Sequence, residues 1–402
     1  MLNYEKIKND FPLLNKQTKG KPIIYFDSAC MSLKPRQVVE AMNEYYFDFP
    51  ACSGRSSHKL GELVTKKIKE ARQIVANFIN ADEQEIVFTR NTTEGINLLV
   101  NSLDLKSGDL ILTTDKEHNS NLIPWQILIK KKGIRHEIVR SSDNGTFNLE
   151  EYKELVKGAK LVSMVHTSNL DGTTIPAKEI IKIAHDNGAL VLLDAAQSAP
   201  HKKIDVKDLD VDFLAFSGHK MLGPTGTGVF YAKYDLLEKL EPFMVGGDTV
   251  EYSTYESHKI LKAPEKFEAG LQDYAGIIGL GEAVKYLEAV GFENIKEQEL
   301  KLNRYITEEI NKLPKIKIIG PNDPALRSGI ISFYIEGMDM HQIALMLDEM
   351  SNVMIRSGQH CVHSWFNDKK IKNSARVSLY FYNIMEEAEI FISDLNKIMK
   401  II

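Results

Sequence analysis

Cysteine is scarce in this chain: Cys30, Cys52 and Cys361 are all there are in 402 residues. An odd, sparse set excludes a disulfide framework and fits a reducing compartment, so the sequence predicts a cytoplasmic protein. No apolar run approaches the roughly 18 residues that a membrane span needs. The first ten residues are polar and charged, without the apolar stretch of a signal peptide. Positive charge is not in excess either. With 50 Lys and Arg against 55 Asp and Glu the formal net charge is -5, which lacks the basic footprint of a nucleic-acid binder. The run Lys130-Lys131-Lys132 reads as a solvated helix end. Internal repeats and low-complexity segments are absent.

What remains is an ordinary globular composition, 43% hydrophobic and 26% charged, in a chain long enough for two domains. From about residue 21 to 261, short apolar runs alternate with amphipathic stretches. Strands are expected at 85–88, 110–113, 161–165, 190–193 and 213–216, with helices at 91–101 and 177–186 among them. That alternation predicts an α/β fold, a mainly parallel sheet covered by helices on both faces. After residue 263 a helical region covers 275–313, breaks near Gly291 and stops at Pro314. Strands at 316–319, 329–335 and 376–382 follow, with helices at 340–350 and 386–399, which reads as a separate α+β unit. The expected division is a segment over 1–20 packed on the small domain, a large domain over 21–265, and connecting helices with a small C-terminal domain over 266–402.

Five segments carry chemistry. The first is Phe216-Ser217-Gly218-His219-Lys220, followed by a glycine-rich turn from Gly223 to Gly228. A lysine at the end of an apolar strand is a candidate amine nucleophile toward an aldehyde, because burial lowers its pKa. Ser217 and His219 can bond a phosphate. Read alone, Lys220 is more often a surface lysine before a loop, and no Gly-Lys-Ser/Thr follows to make a P-loop. The second is Leu192-Leu193-Asp194-Ala195-Ala196-Gln197, which puts Asp194 at a strand's C-terminal end, where open α/β sheets bind ligands. Such a carboxylate suits the pyridinium nitrogen of pyridoxal 5'-phosphate, and Gln197 the ring's phenolic oxygen; Asp194 is otherwise a helix cap. In the third, 89–95, Thr92 and Thr93 at a helix start form an anion site, or simply cap the helix.

The fourth segment, 117–121, places His118 after a strand, where an imidazole can stack on a flat cofactor and shuttle protons, or be merely structural. The fifth, Ile355-Arg356-Ser357-Gly358-Gln359-His360-Cys361-Val362-His363, combines a planar carboxylate fork at Arg356 with a cysteine whose thiolate a nearby cation favours. Cys30 and Cys52 have no such setting in the sequence, although Cys30 follows Asp27-Ser28-Ala29 and could approach the same site. His360, Cys361 and His363 raise a zinc reading, but no second cysteine pair lies at ligand spacing, so no metal is expected. Phosphate cradle, stacking His, ring-nitrogen Asp and aldehyde-binding Lys, in this order, describe one cofactor, pyridoxal phosphate.

With these motifs the chain resembles the cysteine desulfurases of the class V aminotransferase family, closest to the SUF-system (group II) branch, with selenocysteine lyase as a near relative. The resemblance runs from Tyr25-Phe26-Asp27-Ser28-Ala29 to Arg376-Val377-Ser378-Leu379. It implies a fold type I transferase with a mainly parallel seven-stranded sheet in the large domain and a smaller α+β C-terminal domain, assembled as a homodimer. It implies pyridoxal phosphate on Lys220, with Asp194 at the ring nitrogen, Gln197 at the phenolic oxygen and His118 stacked on the ring. Thr93, Ser217 and His219 would hold the phosphate, with Thr92 close by. Asn169 and Arg376 would hold the substrate carboxylate, with Arg356 beside the site. Cys361 would attack the sulfur of L-cysteine, yielding alanine and a persulfide passed to a protein acceptor for iron–sulfur or other sulfur-cofactor assembly. Selenocysteine lyase, cysteine β-lyase and class V aminotransferase are the alternatives on the same scaffold. Three positions depart from the pattern: Gln359 replaces a histidine, Leu271 replaces a threonine that reaches the partner's phosphate, and Gly54-Arg55 replaces His-Arg.

Overall fold

The computed structural model describes residues 2–401. Its central sheet has seven strands in the order Ile86–Thr89, Gly228–Ala232, Phe213–Ser217, Leu190–Asp194, Ala159–Val165, Leu110–Thr114 and Arg135–Val139. The last five are mutually parallel, and Gly228–Ala232 runs antiparallel to both of its neighbours. Strands such as Phe213–Ser217 are buried along their whole length, which is why they read as unbroken apolar runs.

Alternate residues of these strands serve opposite faces. Leu193, Leu214 and Val229 join one core cluster with Ile180, Ile181 and Ala184 of the Ala177–Asp186 helix. Leu192, Ala215 and Phe230 join another with Leu98, Leu99 and Trp125 of the Thr92–Ser102 and Asn119–Lys132 helices. Lys130, Lys131 and Lys132 form the last turn of the latter helix.

Two of the seven strands carry no sequence expectation. Arg135–Val139 is a half-exposed edge with too few apolar residues to stand out, and Gly228–Ala232 is hidden behind the glycine-rich turn. The chain passes from Leu110–Thr114 outward to Arg135–Val139, then returns to Ala159–Val165 on the other side. The sheet order therefore reverses between Leu110–Thr114 and Ala159–Val165, the kind of switch point where α/β sheets open a crevice at their carboxyl ends.

A second, five-stranded sheet has the order Ile316–Ile319, Ile330–Ile335, Ser374–Ser378, Val353–Gly358 and Ile24–Phe26. The helices Met340–Ser351 and Met385–Ile401 share its core. Between the sheets in sequence lie Tyr274–Val290 and Phe292–Ile310, which break at Gly291, where φ is +82°.

The observed architecture departs from the expected division at the N-terminal end. Ile24–Phe26, expected in the large domain, pairs parallel with Val353, Met354 and Ile355 of the C-terminal sheet. A partner more than 300 residues away leaves no trace in local periodicity. The Tyr4–Asp10 helix and Phe11 pack not on the small sheet's core but in the large core cluster, with Phe11 against Tyr286 at 5.6 Å and Phe381 at 5.9 Å between ring centroids. The adjoining 17–22 hairpin reaches the small sheet's unit, through Asn352 donating to the Thr18 and Lys21 carbonyls, and Tyr4 lies near Glu386 of the Met385–Ile401 helix. The expected strand at 376–382 is Ser374–Ser378; beyond it the chain turns and Tyr380, Phe381 and Tyr382 become core aromatics. Among the described residues no helix is long and apolar enough to cross a membrane.

Candidate active site

The carboxyl ends of the large sheet's strands and the edge of the small sheet enclose a cavity of about 240 Å³. Thr92, Thr93, His118, Asn169, Asp194, Gln197, Ser217, His219, Lys220, Arg356, Cys361 and Arg376 all line it, so one space collects every site residue named from the sequence.

The phosphate-like corner is built by two chain segments brought into contact. Asn91 caps the Thr92–Ser102 helix, its side-chain oxygen accepting from Glu94 N at 3.0 Å, so the cap is not one of the two threonines. The threonine hydroxyls are left for other work. Ser217 Oγ accepts from Thr92 N at 2.9 Å and lies 2.7 Å from Thr92 Oγ1, while Thr93 Oγ1 lies 2.7 Å from Ser120 Oγ. Gly228 permits this approach: a Cβ there would sit 2.6 Å from Asn91 Cα.

Asp194 ends its strand almost fully buried, with one oxygen accepting from Ala196 N at 2.9 Å in a turn, not at a helix start. Burial pushes its carboxyl up, opposed by the nearby Lys220 cation and the Ala196 N–H. Burial likewise drives Lys220 down from its ordinary value and outweighs the attraction of Asp194. An amine so placed reaches its neutral, nucleophilic form at lower pH than a surface lysine does. Low polarity that penalises a lone carboxylate rewards one that gains a hydrogen-bonded cation.

His118 caps the Asn119–Lys132 helix. Its Nδ1 accepts from Ser120 N at 3.1 Å, so the neutral ring carries its proton on Nε2. Burial and the Lys220 and Arg376 cations lower its pKa to about 3, and burial lowers His219 to about 4. Both rings are therefore neutral at ordinary pH.

The opposite wall comes from the small sheet. Arg356 and Arg376 stand directly opposite each other on antiparallel strands. Arg376 is nearly fully buried; it donates to Asn169 O at 3.0 Å and to Asp27 Oδ1 at 3.3 Å. Arg356 is exposed and donates to the sulfur of Cys30 at 3.2 Å. Cys361 lies in a reversing turn between Val353–Gly358 and His363–Lys369. His360 and Cys361 both have positive φ, +49° and +59°, and the Cys361 carbonyl accepts from Asn119 N at 2.7 Å.

Sequence reasoning placed the arginine beside Cys361 and gave Cys30 no such neighbour. The structure corrects this: the guanidinium bonds Cys30, which lines the cavity, because the Ile24–Phe26 strand carries it alongside Val353–Gly358. Cys52 is not among the cavity's lining residues. Ser120 and Thr167 also line it without having been singled out, and so does His360, which was named only for the zinc reading. Ser120 was findable as the hydroxyl two residues after His118; Thr167 becomes visible only once the fold brings its segment to the cavity. At the departures from the family pattern, Arg55 pairs with Asp248 of its own chain, Gln359 donates to Lys372 O at 3.0 Å, and Leu271 is 62% exposed.

The donor set suits a ligand with an anionic group, an aldehyde and a basic ring nitrogen. Four buried polar atoms on the lining residues have no partner within the chain: Gln197 Oε1, Asn169 Oδ1, His360 Nδ1 and Arg376 Nε. Each such orphan costs about 1–3 kcal/mol unless something bonds it, so the cavity is made for a polar occupant.

Known proteins agree with this architecture. The family model "Aminotransferase class-V" matches residues 24–391. A Pyrococcus abyssi protein described as "Probable cysteine desulfurase" is 41% identical over 98% of both chains. The apo structure of a cysteine desulfurase from Thermococcus onnurineus superposes with a TM-score of 0.96 at 40% identity, covering 100% of this chain and 99% of that one. The Escherichia coli cysteine desulfurase CsdA superposes at 0.91 with 29% identity, covering both chains completely. With that family match spanning both sheets and both walls of the cavity, the chain belongs to the class V aminotransferase family.

Proposed function

We propose that the protein is a pyridoxal-phosphate-dependent cysteine desulfurase that converts L-cysteine to L-alanine and keeps the sulfur on Cys361 as a persulfide. The observation that carries this reading is that the amine of Lys220, the carboxyl of Asp194 and the thiol of Cys361 line one cavity. An aminotransferase has no need of that thiol.

Thr92, Thr93, Ser217 and His219 would hold the phosphate, Asp194 the ring nitrogen and Gln197 the phenolic oxygen, with His118 against the ring. When bound, the cofactor supplies an aldehyde for Lys220 and an electron-withdrawing ring that stabilises negative charge at the substrate α-carbon. Arg376, with a free Nε, and Asn169 orient the substrate carboxylate. Lys220, desolvated enough to lose its proton, moves protons at the α-carbon. Cys361 Sγ attacks the substrate sulfur: the new S–S bond forms as the Cβ–S bond breaks, its electron pair stays with the carbon fragment, and a proton at Cβ completes alanine. The net change, one thiol plus cysteine giving one persulfide plus alanine, balances without an external oxidant.

On this reading the two sheets are the cores of a large and a small domain, and the sulfur passes to a protein thiol in the cytoplasm. The working unit is a homodimer. Phe243, Met244, Val245, Tyr252 and Tyr255 are all exposed along one segment, and exposed apolar side chains grouped together mark a surface for protein contact. Sedimentation showing a fully active monomer would reject the dimer. Incubation with cysteine followed by peptide mapping tests the central step. The extra sulfur is expected on Cys361, and Cys361→Ser should still bind the cofactor while forming no persulfide. Wild-type sulfur release by Cys361→Ser would overturn the reading.

A further inference from the structure

The small-sheet wall has an unbalanced charge. Residues directly opposite on antiparallel strands are close neighbours, and like charges there repel. Arg356 and Arg376 occupy such a pair. Asp27 offsets Arg376 at 3.3 Å, yet the buried Nε of Arg376 still lacks a partner. Arg356 meets no carboxylate within ion-pair reach among the described residues; what it meets is the sulfur of Cys30 at 3.2 Å. An anion on that sulfur would therefore be welcomed by a cation already in hydrogen-bond contact.

Cys30 is also held firmly. Its N–H donates to Asp27 O at 3.0 Å. The preceding Ala29 donates its N–H to Ser378 Oγ at 3.0 Å and accepts from Gln197 Nε2 at 2.6 Å through its carbonyl. The backbone that carries the thiol is thus tied to a cofactor-site residue on one side and to the second sheet on the other. It shares the cavity with Cys361, and a thiolate at either position acts on the Lys220 cation. Neither cysteine is in a disulfide.

We propose that Cys30 is a second sulfur carrier, receiving the terminal sulfur of the Cys361 persulfide and holding it as a persulfide anion against the Arg356 guanidinium. The step is thiol–persulfide exchange. Cys30 Sγ attacks the outer sulfur of the Cys361 persulfide, a new S–S bond forms on Cys30, the S–S bond on Cys361 breaks, and Cys361 leaves as a thiolate ready for another substrate. The sulfane sulfur moves without net oxidation or reduction, and the proton released by Cys30 balances the one taken up by Cys361. This inference rests on the desulfurase reading above. It adds that two sulfurs can be stored per chain, and that Arg356, exposed at the cavity's edge, marks the place from which the second is handed out.

The test is peptide mapping of cofactor-loaded protein after incubation with L-cysteine, trapping persulfides by alkylation and measuring alanine in the same samples. In the wild type, sulfane sulfur is expected on both Cys30 and Cys361, with more than one sulfur per chain. Cys30→Ser should confine it to Cys361, and Arg356→Gln should lower the Cys30 share severalfold. Cys361→Ser should leave Cys30 unlabelled. Alanine formed with sulfur on Cys361 alone in the wild type overturns the relay and leaves the desulfurase reading standing. Sulfur on Cys30 in Cys361→Ser overturns it differently, by making Cys30 a direct acceptor. A Cys30–Cys361 disulfide with released sulfide means that attack falls on the inner sulfur, which also overturns it. Absence of alanine from the wild type removes the parent reading and the relay with it. Mapping the wild type needs no variant to fold.

Discussion

On the large-sheet side of the cavity, Asp194 and Ser217 terminate strands that are buried almost throughout, and Lys220 follows within one short turn. On the small-sheet side, Arg356 is exposed, Cys361 sits in a turn of two consecutive positive-φ residues, and the thiol that Arg356 meets, Cys30, lies in the turn after a strand more than 300 residues earlier in the chain. The first wall is made of strand ends, whose positions are fixed by the core. The second is made of a turn and a cross-sheet pairing. The contrast separates two jobs. Holding a cofactor demands rigid, desolvated groups with shifted pKa values, whereas sulfur transfer demands a thiol that can reach the substrate and then an outside acceptor.

The largest effect is expected on the rigid wall. Lys220→Ala should abolish the visible colour that the cofactor gives when bound to the protein amine, and lower turnover by on the order of 10³-fold or more, as losing a positioned proton-transfer group does. A variant that stays yellow in the same way would move the cofactor's attachment elsewhere. Asp194→Asn should keep the phosphate contacts and so retain cofactor, but lose turnover about 10²-fold, the scale of losing one preorganised charge partner. Activity within about twofold of wild type would mean that Asp194 does not face the ring nitrogen.

The second wall should separate binding from transfer. Arg376→Lys removes a planar fork that bonds Asn169 and Asp27, and is expected to raise KM for cysteine about tenfold or more while leaving cofactor affinity unchanged. A loss of cofactor affinity in that variant would show that the two walls are not independent.

The smallest effect is on stability. Burial holds His118 and His166 near about 3 and His219 near about 4, against the ordinary 6.5. Below 6.5 the unfolded chain takes up protons that the folded chain refuses until pH approaches those values. Stability present above pH 6.5 is therefore lost as pH falls toward 4. Glu117 and Glu387, raised to about 7 by burial, take up protons in the folded chain over the same range and oppose that loss. The histidine share is therefore read ring by ring: NMR titration should find His118, His166 and His219 neutral from pH 7 to 5, and rings that charge in that range would mean that burial does not hold them down.

Much of the rigid wall was legible in the sequence. Asp194 and Lys220 follow apolar runs of strand length, and the core that buries those runs also sets the two side chains at the sheet's carboxyl ends. The long helices broke at Gly291 as expected, since a positive φ interrupts a helix there. The second wall was legible by motif alone. The residues around Cys361 were named, but the partner of Arg356 was not, because contact with Cys30 depends on Ile24–Phe26 joining the second sheet. Parallel pairing between distant segments leaves no periodic trace. The edge strand Arg135–Val139 escaped for a related reason, its exposed face carrying Arg135 and Glu137 where a buried strand would show apolar residues.

The most direct test of the central claim is to identify the carbon product formed from L-cysteine by the cofactor-loaded protein. If Cys361 takes the sulfur as described, alanine should appear in equal amount to sulfane sulfur, and Cys361→Ser should make neither. Pyruvate and ammonia in place of alanine, persisting in Cys361→Ser, would show that the substrate eliminates its sulfur without a protein thiol and would make the enzyme a lyase.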